Sequence, residues 1–217
     1  MDHVQADITA RQFTLVNANG EPCAILAAND AGLPLLALFD AERQQRAVLR
    51  VGADGIAALD LFDAEGEPRA ALTVAATGAS SLNLTHRAGR PRFSLNVRSD
   101  SASLAFWDKD AKPRSGLGVR VDGSGGLELQ DEHGIVRLSL QTEADGSVSV
   151  GLFDDQGTAR AAVSSNADGA SALALLDAKG DARIGLMVEP DGEAAIGLLD
   201  ANGNIKWRAP GPGNGAG

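Results

Sequence analysis

The sequence has no tyrosine, one cysteine, three histidines and only two tryptophans and six phenylalanines among 217 residues. The lone Cys23 excludes an intrachain disulfide framework and offers no cluster of metal ligands. His3, His86 and His133 have no nucleophile and orienting acid at a spacing that indicates a catalytic site. We therefore predict that the chain is not an enzyme.

Long apolar runs and a surplus of basic residues are also missing. No stretch approaches 18 consecutive apolar residues, so we predict no membrane-spanning segment. Lys and Arg number 19 against 29 Asp and Glu, and this net charge of −10 argues against a nucleic-acid partner. The N-terminus lacks a basic segment followed by an apolar run. A cytoplasmic location is the default prediction, with signal-independent export or a surface location left open.

The sequence is rich in one repeated phrase, LFDAEGEPRAAL at 61–72, which recurs in close variants. With Asp63 as the anchor, equivalent positions lie 23 residues apart, except for one interval of 22 after His86. Nine repeats therefore form one predicted domain, residues 1–209, and a Gly/Pro-rich tail, residues 210–217, is predicted to be flexible. The anchors are Asn17, Asp40, Asp63, His86, Asp108, Asp131, Asp154, Asp177 and Asp200.

Each repeat contains two segments in which large apolar residues alternate with small or polar ones. Leu59 and Leu61 precede the anchor of the third repeat, and Leu72 and Val74 follow it. Residues two apart diverge by roughly 200° on a helix but share one face of a strand, so this period indicates β-strands. We therefore predict an all-β chain in which the leucines of both strands face a buried core.

Turn signals separate these predicted strands. Asp63 and Gly66 match the first and last positions of a type I turn, because the Asp side chain accepts backbone N–H bonds and Gly takes a positive φ. An Asp-Gly pair such as Asp54-Gly55 ends the second strand of most repeats and is a hairpin signal. Each repeat is thus strand, tight turn, strand, tight turn.

Three architectures accommodate two short strands in each repeat of about 23 residues. Stacked antiparallel hairpins, as in one side of a β-prism, agree with the tight turns, whereas the strict register also suits a β-solenoid. A simple hairpin at the Asp-x-x-Gly turn would put the leucines of the two strands on opposite faces, unless a bulge intervenes. The β-propeller is the alternative ranked last, since no alternation over 46 residues is present. The tight turns favour hairpins.

The residue directly before the anchor is apolar in seven of the nine repeats, although it points away from the leucines. Such a stripe on the opposite face usually marks an interface. It could pack against a second layer of the same chain, but we favour a homo-oligomer, with a trimeric prism preferred. The stripe, and so the candidate oligomer interface, consists of Val16, Phe39, Phe62, Trp107, Phe153, Leu176 and Leu199.

An Arg six residues after the anchor accompanies the Asp in most repeats. A calcium site would need oxygen donors at alternating positions, yet two residues after the anchor the chain carries Ala88 and Lys179 in two repeats. We therefore predict no metal site and no cofactor. Flanking acids argue against a row of Arg that binds an anionic polymer. We interpret each Asp and Arg as a pair that closes its turn.

The L-x-L-x-D-x-x-G-x-x-R-x-x-L units, from Phe13 through Lys206, resemble tandem-repeat proteins common among uncharacterised bacterial sequences. The resemblance implies a repetitive β fold and adds no site residues. The pattern is broken around the fourth anchor, by Thr85-His86 in place of Phe-Asp, by Ser101 in place of Gly and by one missing residue. This departure predicts an interruption of the stack near residues 85–103.

Two functions from different classes remain. The first is a structural or interaction protein, an elongated β-repeat homo-oligomer that acts as a scaffold, spacer or fibre element. The alternative is a lectin-like or other ligand-binding repeat module with shallow sites between the loops. Sugar sites usually combine aromatic and Asn or Asp side chains, whereas these turns hold Ala, Glu, Gly, Pro and Lys. That composition favours the structural protein.

Overall fold

The computed structural model describes residues 9–210. The chain forms two compact units, Met1–Ser99 and Asp100–Gly217. Apart from Pro210, the predicted tail at 210–217 lies outside the described residues. The described part of each unit consists of β-strands and turns, with one short 3₁₀ turn at Arg87–Gly89.

The first unit is an antiparallel meander of eight strands, in which each strand pairs with the next along the chain. The strands are β1 (Gln12–Val16), β2 (Pro22–Ala28), β3 (Pro34–Phe39), β4 (Gln45–Val51), β5 (Ala57–Phe62), β6 (Pro68–Val74), β7 (Ser80–His86) and β8 (Arg90–Val97).

The second unit is a meander of ten strands with the same consecutive antiparallel pairing. This confirms the all-β stack of hairpins, because a solenoid would pair equivalent strands of successive coils in parallel. The strands are β9 (Ala102–Trp107), β10 (Pro113–Val119), β11 (Gly125–Gln130), β12 (Val136–Thr142), β13 (Val148–Phe153), β14 (Ala159–Ser165), β15 (Ser171–Leu176), β16 (Ala182–Val188), β17 (Ala194–Leu199) and β18 (Ile205–Ala209).

Both turns of a regular repeat have the same backbone hydrogen bonds. In the loop after β5, Asp63 N–H donates to the Glu67 carbonyl (3.0 Å), and Gly66 N–H donates to the Asp63 carbonyl (3.1 Å). The Asp63 carboxylate accepts the backbone N–H of Glu65 and of Glu67. Gly66 has a φ of +80°, which explains the glycine there. The predicted turn chemistry is confirmed.

A β-bulge after each Asp-x-x-Gly turn places the leucines of both strands on one face. Phe62 pairs with Pro68, but Leu61 pairs with Ala70, so Arg69 is an extra residue in β6. The register then continues through Leu59 opposite Leu72. The same shift occurs at the corresponding turn of all nine repeats. A bulge that brings the leucines of both strands onto one face is therefore present in every repeat.

The two faces of each sheet differ in burial, and the difference is the reverse of the prediction. The face opposite the leucines, here named the small-residue face, contains Ala37 (4% exposed) and Ala58 (1%). The other face, here named the leucine face, carries the alternating large apolar residues. On it, Leu61 is 41% exposed and Leu72 is 49% exposed. The prediction that the leucines are buried is wrong for the single chain, since between residues 9 and 210 each unit is one sheet layer and none of these residues covers this face.

The regular pattern stops between β7 and β9, as the sequence predicts. The 3₁₀ turn Arg87–Gly89 replaces the Asp-x-x-Gly loop, and His86 makes no capping hydrogen bond. The next loop, residues 98–101, has four residues, whereas the loop at 75–79 has five. The residue missing from the sequence repeat is therefore missing from a loop and not from a strand. The boundary between the compact units, at Ser99 and Asp100, falls in that loop.

Ala111→Gly is expected to stabilise the chain by about 1 kcal/mol. Ala111 occupies the turn position that Gly66 has in the third repeat, and its φ of +60° is in the left-handed region that β-carbons disfavour. Denaturant unfolding of the variant and the parent measures the change. Ala64→Gly, one residue after the anchor in an equivalent turn, is the control and should not stabilise. A lower stability for Ala111→Gly would contradict the strain argument.

Candidate interaction surface

The leucine face of the second unit presents a continuous row of large side chains, here called the ridge. One residue from each of eight consecutive strands contributes, and each lies directly opposite the next in the strand register. Six of these eight residues are between 37% and 51% exposed. The ridge consists of Leu117, Leu127, Leu140, Val150, Val163, Leu173, Leu186 and Ile196.

Beside the ridge runs a groove with a volume of about 1140 Å³. The floor of the groove is the neighbouring row of residues that lie opposite one another on successive strands. In this row, small residues lie between the valines. Ridge and floor line the groove together from β10 to β17. The small residues of the floor are Gly125, Thr142, Ser165, Ser171 and Ala194.

The polar groups on this face pair among themselves. Thr142 Oγ1 donates to the Gly125 carbonyl (3.3 Å) and accepts the Gly125 N–H (3.2 Å). Ser171 Oγ donates to Ser165 Oγ (3.3 Å). No ionisable residue occupies a ridge or floor position. The groove thus offers an apolar surface with few polar groups that need a partner.

The predicted stripe lies on the small-residue face. Val16 is 48% exposed, and the other six stripe residues are half-buried. The Phe153 ring lies against Gly151 of its own strand, so close that a β-carbon at Gly151 would meet ring carbons at 2.9 Å. Ser139, also beside Gly151, is 7% exposed. At this position the stripe covers small residues of its own sheet. Its assignment as an oligomer interface stays a prediction.

The predicted Asp–Arg pairs form in six repeats. Arg46 lies 3.1 Å from Asp40, Arg137 lies 3.5 Å from Asp131, and Arg160 lies 3.6 Å from Asp154, measured between guanidinium nitrogen and carboxylate oxygen. The remaining pairs are Arg69–Asp63, Arg114–Asp108 and Arg183–Asp177. Each Arg is the bulge residue of its repeat, so the bulge directs the guanidinium back to the turn.

The arginines also join neighbouring repeats, which the sequence interpretation missed. Arg46 Nε donates to the Phe62 carbonyl (3.1 Å), and Arg137 Nε donates to the Phe153 carbonyl (2.9 Å). Arg160 Nε donates to the Leu176 carbonyl (3.2 Å) in the same way. Each acceptor belongs to the residue just before the next anchor. The Asp–Arg phrase therefore links one hairpin to the next along the sheet edge.

The turn geometry lowers the pKa of the anchor carboxylates. The pKa of Asp108 falls to about 2, because the backbone N–H of Lys112 hydrogen-bonds to the carboxylate. Partial desolvation opposes this shift, and the Asp110 N–H and Arg114 reinforce it. A backbone N–H two or four residues later is also the main cause that lowers the pKa of Asp154 and Asp177. These anchor carboxylates are therefore structural anions, not proton donors or acceptors at neutral pH.

Asp108→Asn is expected to reduce the loss of stability in acid. A folded-state pKa of about 2 lies below the unfolded value of roughly 3.9, so ionised Asp108 favours the folded state above about pH 4. That stabilisation disappears as the pH falls through about 2. Denaturation midpoints measured between pH 7 and pH 2 should fall less for the variant than for the parent. Asp155→Asn, beside an anchor, should keep the parental fall; an unchanged profile for Asp108→Asn would refute the assignment.

The described residues hold no obvious chemical centre. Between residues 9 and 210, no three His, Cys, Asp or Glu side chains lie close enough together to hold a metal ion. The helical content of that stretch is the single 3₁₀ turn, and no helix there is long and apolar enough to cross a bilayer. Its most extensive unusual feature is the uncovered leucine face.

Sequence reasoning identified the residues of this face but assigned them to a buried core. Periodicity shows which side chains share a face, but it does not show what covers that face. The number of repeats could have indicated that the leucine face is exposed in a single chain. Nine repeats account for nearly all of the printed residues, and all place their large residues on the same face, so the repeats themselves do not form a second layer.

Comparisons with known proteins leave the family open. No protein-family model matches the sequence, and no curated protein matches it. Among solved structures, the TCP domain of SAS-4 from Drosophila melanogaster, in complex with a proline-rich motif of Ana2, is 12% identical, with a TM-score of 0.38. That match covers 85% of this chain and 95% of the TCP domain. A TarM mutant from S. aureus, in complex with fondaparinux, alpha-GlcNAc-glycerol and UDP, is 11% identical, with a TM-score of 0.28 over 57% of this chain and 22% of TarM.

Proposed function

We propose that the chain is a structural or interaction protein that works as a homo-oligomer and serves as a scaffold, spacer or fibre element. The observation that carries this proposal is the uncovered leucine face of each single-layer sheet. Of the 32 large apolar side chains in the described part of the chain that are at least 37% exposed, 28 belong to the leucine faces of the two units. Contiguous apolar surface on that scale is typical of a protein that associates through it.

The accessible surface of the chain supports association. It amounts to 14612 Å², whereas a compact monomer of 22.2 kDa exposes about 9,400 Å². The difference is several times the roughly 800 Å² that one partner buries in a standard interface. Burial of such surface is favourable by about 25 cal/mol per Å² of apolar area, before the costs of association. The chain therefore has ample surface for a stable contact with further copies.

The lack of a candidate centre for chemistry among residues 9–210 agrees with a structural function. The anchor carboxylates are used in turns and ion pairs, and the guanidinium groups of Arg46, Arg137 and Arg160 hydrogen-bond to the next repeat. These side chains hold the sheet together. We propose on this ground that the protein has no enzymatic activity.

Sedimentation velocity over a dilution series tests the proposed function. We expect a species with a mass that is an integral multiple of 22.2 kDa and that dissociates on dilution. A trimer would agree with the preferred prism arrangement. A chain that remains monomeric at micromolar to near-millimolar concentration would overturn the proposal.

A further inference from the structure

We propose that the leucine face of the second unit is buried by the same face of a second copy, with the ridge of each copy seated in the groove of the other. This inference rests on the proposed function and names the surface that the oligomer uses. It assigns the interface to the face opposite the stripe. The contact is isologous, because the ridge and the groove lie side by side on each copy.

The shape of the face supports pairing with a second copy. The ridge carries Leu, Val or Ile in every strand from β10 to β17, and the floor beside it has small residues at five of its positions. The same spacing between strands recurs in every copy. A two-fold axis between ridge and groove therefore places each row of large side chains over a row that contains small ones, as in packed sheets of a β-sandwich.

The chemistry of the face points to the same occupant. Neither ridge nor floor has an ionisable residue, and the Thr142, Ser165 and Ser171 hydroxyls are hydrogen-bonded within the chain. A charged or strongly polar partner would lose its own hydration without compensation there. An identical face has no ionisable group at its ridge and floor positions, so no hydration of charged groups is lost when the two faces meet. The alternation of large apolar residues is also typical of a buried strand face, and a second copy supplies the missing layer.

Two adjacent residues of β16 provide a matched test. Leu186 is part of the ridge and is 40% exposed, whereas Met187 is on the small-residue face and is 44% exposed. Lysine at either position leaves an exposed charge on a single chain, so both variants should fold. An isologous contact through the ridge would bury two unpaired ammonium groups in Leu186→Lys and none in Met187→Lys. Light scattering coupled to size-exclusion chromatography then reads the mass of each variant.

We expect Leu186→Lys to raise the dissociation constant of the oligomer by about 100-fold or more, and Met187→Lys to leave it unchanged. If Leu186→Lys keeps the parental mass and Phe153→Ser lowers it, the stripe is the interface and the inference is overturned, while the proposed function stands. A parent that is monomeric overturns both. A monomeric parent that co-sediments with phosphatidylcholine vesicles would assign the face to a lipid surface.

A second measurement needs no disruptive substitution. In a Cys23→Ser background, Ser165→Cys places a thiol on the groove floor. Ser164→Cys places one on the opposite face of the same strand, because successive side chains of a strand alternate between its faces. Maleimide labelling of Ser165→Cys should slow at least tenfold above the dissociation constant of the oligomer and recover on dilution. Labelling of Ser164→Cys should be independent of concentration. Equal, concentration-independent rates at both positions in an oligomeric protein would overturn the inference.

Discussion

Insertion of one alanine between Ala162 and Val163 is expected to abolish the cooperative unfolding of the second unit or to lower its free energy of unfolding by more than about 3 kcal/mol. Gly151 of β13 pairs with Ala162 of β14, and Val150 pairs with Val163. Because side chains alternate along a strand, the added residue would turn every later side chain of β14 to the opposite face. Val163 would then leave the ridge, and the inserted alanine would replace it.

Deletion of Arg160 is the control for this insertion, because Arg160 is the extra residue of the bulge between β13 and β14. Without it, the Phe153–Ala159 and Leu152–Ala161 pairs become adjacent, and every later side chain keeps its face. The deletion removes the ion pair with Asp154 and the hydrogen bond to the Leu176 carbonyl. It should therefore unfold cooperatively, with a much smaller loss of stability than the insertion. Guanidinium unfolding followed by circular dichroism compares the two, and parental stability of the insertion variant would show that the ridge does not depend on the strand register.

Gly126→Ala is expected to lower the free energy of unfolding by about 3 kcal/mol. Gly126 is in β11, on the small-residue face, and a β-carbon there would lie 2.7 Å from the Leu140 carbonyl oxygen of β12. A flexible side chain could move aside, but this oxygen belongs to the backbone of the neighbouring strand. The two strands would have to separate locally, with weaker hydrogen bonds between them.

Gly185→Ala is the matched control on the same face of the same unit. A β-carbon at Gly185 has no neighbouring atom within 4 Å. Neither glycine has a φ in the left-handed region, so alanine fits the backbone at both positions. Gly185→Ala should be neutral or slightly stabilising, since alanine restricts the unfolded chain. Similar losses from both substitutions would mean that intrinsic strand propensity, and not the close approach of β12, governs the effect.

The repeat alone predicts most of the fold. Asp63, Gly66 and Arg69 each have a local function that follows from residue type: turn acceptor, positive φ and ion-pair partner. The departures at Thr85-His86 and Ser101 predict the region in which the regular pattern stops. These features are local, so a single sequence contains the information that determines them.

Two features could not be predicted from the sequence, for different reasons. The bulge at Arg69 depends on which of two registers gains more burial, and a turn sequence by itself permits both. The exposure of Leu61 and Leu72 depends on whether another layer covers them, which is a property of the assembly. The alternation correctly predicts that the large apolar residues share one face of the sheet. The prediction that other residues of the same chain bury this face is wrong.

The small-residue face gives an independent reason to distinguish the two sides of the sheet. Arg50 Nε donates to Asp60 Oδ2 (2.9 Å), and Thr73 Oγ1 lies 2.7 Å from Ser81 Oγ. The half-buried side chains of Asp60 and Ser81 thus have hydrogen-bond partners on their own face of the sheet. This side therefore has side chains that pair within the sheet, while the leucine side has large apolar groups without a cover.

Hydroxyl-radical footprinting at high and low protein concentration tests most directly whether the leucine face is buried between copies. Oxidation of Leu140 and Leu186 on the ridge should be suppressed in the oligomer and should rise several-fold on dilution. Oxidation of Met187, on the opposite face of the strand that carries Leu186, should change little. Ridge leucines that react equally at both concentrations in an oligomeric sample would contradict burial of this face by a second copy.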